Sequence, residues 1–123
     1  MYVEFNNNPC KKSTGDCVIR AISKILGITW KQAYIKLTVQ GLEDCDIITS
    51  NGVWGNFLKR NGFKRYIIPD TCPRCYTVKD FCEDYSIGEY ILATGNHVVA
   101  VIDGSYFDAW DSGNEIPIFY FQR

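Results

Sequence analysis

The chain has 123 residues, 46% of them hydrophobic and 22% charged, with a formal net charge of -1. That length holds one domain, residues 1–123, with one modest core, and the composition excludes a disordered polymer. No dense Lys/Arg block is present, which argues against a nucleic-acid partner. No apolar run approaches the roughly 18 residues of a membrane span, and "MYVEFNNNPCKK" contains no apolar signal segment, so a cytoplasmic chain with no membrane partner is expected.

In chain order, the polar stretch Ser13-Thr14-Gly15-Asp16 leads into Cys17. Val18, Ile19, Ile22, Ile25 and Leu26 then recur at helix spacing, predicting a helix from Cys17 to Leu26 stopped at Gly27. Thr29 and Gln32 form a capping box for a second helix. Residues 41 to 52 read as an acidic loop, "VWGNFLKRN" as a third helix ended by Gly62, and "FKRYII" as a strand closed by Pro69. "TCPRC" reads as a turn, and Thr77 with Asp80 caps a fourth helix over "VKDFCEDY". Trp30, Tyr34, Trp54 and Phe57 lie at helix spacing and read as core. The period then changes to two in "EYILAT", "HVVAVI", "SYFDAW" and "IPIFYF", separated by turn signals. Helices followed by an antiparallel sheet predict the α+β class.

Cys17 is placed where a helix N-terminus favours the thiolate, although a half-buried cysteine also packs as a small hydrophobe. The single histidine, His97, is the only imidazole available to it. With Asp103-Gly104 as a two-residue turn, Ile102 faces Ser105 and His97 faces Trp110. Asp108 then lies diagonally beside His97, within side-chain reach, where a carboxylate orients an imidazole. A three-residue turn brings Asp111 across from His97 instead.

Cysteine at a helix start, histidine opening a late strand and an acid on the next strand together resemble the papain-like cysteine peptidase superfamily. The likeness is to its minimal branches, the double-glycine leader peptidases and transglutaminase-like proteins. "GDCVIRAI" resembles the Asp-Cys helix start of the former, and "HVVAVIDGSYFDAW" their histidine–turn–acid hairpin. "NPC…GDCVIRAIS…TVKDF…GEYIL…GNHVVAVIDG…DAWDS" also looks like small proteins of phages and their bacterial hosts. The resemblance implies a papain-like fold, with the cysteine helix packed on a C-terminal antiparallel sheet. It also implies a hydrolase of a peptide or amide bond, with Cys17 as nucleophile, His97 as general base and acid, and Asp108 as orienter, needing no cofactor. The same three residues would serve an acyltransferase.

In the larger papain-like enzymes a glutamine about six residues before the cysteine completes the oxyanion hole. Lys11 stands there in this chain; Asn8 is the candidate substitute, ahead of Asn6 and Asn7. A different class of function stays open: a non-catalytic protein-binding domain, stabilised by zinc on Cys72, Cys75 and Cys82 with Cys10 or Cys45 as fourth ligand. Without an export signal the six cysteines are expected to be reduced.

Overall fold

The alternating apolar runs of the C-terminal half form the centre of a six-stranded sheet in the order β1-β5-β4-β3-β6-β2. The computed structural model describes residues 1–123. The strands are β1 (Tyr2–Glu4), β2 (Lys64–Ile67), β3 (Glu89–Ala93), β4 (Val98–Ile102), β5 (Ser105–Asp108) and β6 (Phe119–Gln122). The helices are α1 (Cys17–Leu26), α2 (Trp30–Asp44), α3 (Asn51–Arg60) and α4 (Val78–Asp84). The α+β class is therefore observed, but the sheet is mixed: β1 runs parallel to β5 (Tyr2↔Tyr106, Glu4↔Asp108) while the other pairs are antiparallel. Three residues are too few to show a period of two, so the sequence pattern does not reveal β1.

Both sheet faces are covered, which is why β3 and β4 read as continuous apolar runs. Val98, Ala100, Ile91, Ala93, Phe119 and Phe121 face α1, α2 and α3, with Ile22, Leu37 and Trp54 fully buried against them. Their neighbours Val99, Val101, Tyr90, Leu92 and Tyr120 face α4 and pack on Val78, Phe81 and Cys82. α1 lies across β4 because nearly all its residues are buried; it ends at Gly27, whose left-handed φ of 65° a side chain would strain.

Several element bounds and one core assignment differ from the pattern. α2 continues through Gly41 to Asp44, so the loop shrinks to residues 45–50. Gly41 permits this: a Cβ there would lie 3.0 Å from the Asp46 carbonyl and 3.1 Å from Ile48. β6 starts only at Phe119, since Pro117 has no N–H to pair. Tyr34 is 43% exposed and outside the core, whereas Trp54 and Phe57 are buried in it. No helix is long and apolar enough to cross a membrane.

Candidate active site

Cys17 is the first residue of α1, and the residue before it behaves unusually. Asp16 occupies the N-cap position, where an aspartate ordinarily accepts from first-turn N–H groups, yet its side chain makes no capping bond. Its carboxylate is held from other directions: Oδ1 by the Arg20 guanidinium, Oδ2 by Trp30 Nε1–H at 2.9 Å and by Asn8 Nδ2–H at 3.5 Å. The first turn also carries no acidic side chain. The free N–H groups at the helix start therefore keep their partial positive charge beside the thiol.

His97 closes the short connection between β3 and β4, fixed by Thr94 N–H donating to the His97 carbonyl at 2.8 Å. The hairpin after it has the two-residue turn that Asp103-Gly104 demands, with φ of 48° and 78° and with Ile102 opposite Ser105. The β4–β5 ladder ends at Ala100↔Phe107. Just beyond it, His97 Nε2–H donates to Asp108 Oδ2 at 2.5 Å. The Cys17 thiol and His97 line one cleft, near enough for each to shift the other's pKa. With Nε2 committed to Asp108, Nδ1 is the ring atom left for the sulfur.

Asp108, only 1% exposed, is saturated by four donors. Oδ1 accepts from Arg20 Nη2–H at 3.0 Å and Ala109 N–H at 2.8 Å; Oδ2 accepts from His97 and from Ser112 Oγ–H at 2.6 Å. Burial pushes the Asp108 pKa up, but the hydrogen bonds from His97 and Ser112 outweigh it, and the carboxyl sits below its ordinary value. For His97, burial works against the charged ring, yet the hydrogen bond to Asp108 and the neighbouring Cys17 thiol prevail and its pKa rises to about 9. The Cys17 thiol is likewise pushed up by burial and pulled further down by His97 and Val98, ending below its usual pKa. All three shifts favour a thiolate–imidazolium pair backed by an ionised carboxylate.

Asp16 and Arg20 extend this into a chain of alternating charge: Asp16, Arg20, Asp108, His97, Cys17. Arg20 is 6% exposed and Asp16 3%. Buried charges persist only when each is paired, and here each carboxylate is bonded to the guanidinium. Pattern reading missed Arg20, Asp16 and Ser112. One signal was present: an arginine four residues after Asp16 and three after Cys17, hence on the same side of α1 as both. Trp110, 47% exposed, lies over the imidazole with ring centroids 4.9 Å apart.

The remaining candidates fall elsewhere. Asp111 accepts from the Tyr106 hydroxyl and from Gly113 N–H, so it is not the acid at His97. Asn8 is buried; its Oδ1 accepts from Cys10 N–H at 2.9 Å and one amide N–H points to Asp16, which leaves its second N–H as the one that an oxyanion role would use. Asn6 accepts from Asn8 N–H, and Asn7 donates to Ser23. The zinc set does not assemble: Cys72 and Cys75 form a disulfide, contrary to the expected reduced state, while Cys82 is buried against α4's aromatic neighbours. No three His, Cys, Asp or Glu residues are grouped as metal ligands.

Beside Cys17 and His97 opens a cleft of about 350 Å³, walled by Gly15, Val18, Thr49 and Asn51 on one side and by Thr94 to Val98 on the other. Apart from the Cys17–His97 pair its lining is uncharged. No family model matches the chain, and no curated protein or solved structure matches it either.

Proposed function

We propose that this chain is a small thiol-dependent hydrolase of papain-like type, acting on a peptide or other amide bond. The observation that carries the proposal is the Cys17–His97–Asp108 alignment, in which the acid is so fully hydrogen-bonded that it can only hold the ring. In this reading the Cys17 thiolate attacks the carbonyl carbon, and the oxyanion is stabilised by first-turn N–H groups, with Asn8 as candidate second donor. His97 Nδ1–H protonates the departing amine as the C–N bond breaks, leaving a thioester. Water then attacks the thioester, passing a proton to His97, and the acid and the thiolate–imidazolium pair are released. Asp108 stays ionised throughout, stabilising the imidazolium without taking its proton. An amine acceptor in place of water would give acyl transfer with the same groups.

The test is the pH dependence of iodoacetamide alkylation, mapped by peptide mass spectrometry in wild type and His97→Ala. Cys17 is expected to react well below pH 8.5, the ordinary thiol pKa, ahead of the free Cys10, Cys45 and Cys82. The His97 substitution is expected to remove that advantage. If Cys17 reacts no faster than exposed Cys10, the hydrolase reading fails.

A further inference from the structure

On the far side of α1 from the sheet, α2 presents an apolar stripe to solvent. Ile35, Val39 and Leu42 recur at intervals of four and three along one face and are 62%, 50% and 75% exposed, with Ile47 beyond the helix end at 69%. The opposite face, through Ala33 and Leu37, is fully buried, so α2 is apolar on both sides. An exposed stripe of this kind on a small chain marks a contact surface.

The charges on α2 say what fits it. Lys31 and Lys36 stand in its N-terminal half; Glu43, whose exposed carboxylate also meets Arg60, and Asp44 close its last turn, and Asp46 follows. This is the reverse of what a helix macrodipole favours, which is acid at the N-terminus and base at the C-terminus. A second α2 lying antiparallel corrects the mismatch, since its acidic end meets the basic end of the first. The flanks agree as well. Lys36 and Glu43 are seven residues apart, hence on the same side of the stripe. In a two-fold antiparallel pair each side faces its own counterpart with the direction reversed, which sets Lys36 of one chain beside Glu43 of the other, twice over. The two-fold axis then passes near Val39.

We propose that the chain forms a two-fold homodimer through antiparallel α2 helices, with Ile35, Val39 and Leu42 as the buried seam and Lys36–Glu43 pairs along its edges. The surface is independent of Cys17, so neither reading depends on the other.

Sedimentation equilibrium of the full chain across a wide concentration range tests it. The expected result is a concentration-dependent dimer that Val39→Glu converts to monomer. Lys36→Glu, a change at a solvated position, is expected to lower the dimer fraction, and adding Glu43→Lys to it is expected to restore the dimer. Matching circular dichroism spectra establish that the variants are folded. Monomer at every concentration overturns the proposal, whether the stripe is idle or meets a different protein. A dimer insensitive to Val39→Glu overturns it equally, because the seam then lies elsewhere.

Discussion

Against α4, Phe81 stacks on Tyr85 with centroids 4.3 Å apart and meets Tyr90 and Tyr120 edge-on at 5.2 and 5.0 Å. Across the sheet, α1 buries Asp16, Arg20 and Asp108 together with the histidine and thiol. Both faces hide polar atoms. On the α4 side they are neutral phenols: burial pushes the Tyr90 and Tyr120 hydroxyls further from ionising, with Tyr120 also bonded to Tyr85. On the α1 side they are charges, tolerated because each has an opposite neighbour. Aromatic packing with satisfied or partly wet hydroxyls stabilises; alternating charge at the edge of a cleft supports the proposed thiol chemistry. The α4 side thus contributes packing alone, whereas the α1 side joins the larger core to a buried charge cluster.

The largest effect is expected from Asp108→Asn, which keeps the shape but removes the charge that supports the imidazolium. Turnover should fall about 10⁴-fold, and iodoacetamide labelling of Cys17 should slow in parallel. Arg20→Met leaves buried Asp16 without a cation and Asp108 with His97 alone, and is expected to cost about 3–5 kcal/mol in urea unfolding. It should also change the pH at which Cys17 reacts. Phe81→Ala removes a comparable amount of stability, about 3–5 kcal/mol by lost packing, but its folded fraction should alkylate at Cys17 with an unchanged pH profile. If the Phe81 change moves that profile as far as the Arg20 change does, the two faces are not separate.

The smallest effects are pH limbs. His97 has a raised pKa, so its contribution to stability is complete below about 6.5, its unfolded value, and is lost as pH climbs toward about 9. Asp108 has a lowered pKa, so its contribution is present above its ordinary value and is lost only as pH falls through the depressed one. The raised phenols of the α4 side add an alkaline loss only above about pH 10, the ordinary tyrosine value. The lowered Cys17 pKa adds stability over the same rise and partly cancels the His97 loss. Thermal melts should therefore fall mainly in the phenol limb, and Cys17→Ser should uncover a His97 limb that His97→Ala removes. Amide turnover should also decline above about 9 as the imidazolium loses its proton, while alkylation, which needs only the thiolate, should not.

How much of this was legible in the sequence follows from the range of each interaction. Cys17 to Leu26 was readable as a helix because its apolar spacing and Gly27 are local. Asp103-Gly104 set the hairpin register, and register alone placed Asp108 rather than Asp111 at His97. What is not local stayed hidden. Arg20 gains meaning only from Asp108, 88 residues away, and β1 exists only because β5 is beside it. The zinc reading failed because two-residue spacing lets Cys72 and Cys75 meet each other as readily as a metal.

The three tryptophans happen to be distributed so that each sees a different part of the molecule. Trp54 is enclosed against Phe119 and Phe121, Trp30 is tethered to Asp16, and Trp110 leans on His97. An excited indole gives up an electron to a nearby imidazolium far more readily than to a neutral ring. Emission from Trp110 is therefore a built-in optical gauge of the His97 proton, dim while the ring is charged and brightening as it discharges. A chain carrying Trp30→Phe and Trp54→Phe, or time-resolved emission from the intact protein, would let the protonation state of the site be followed without any substrate at all.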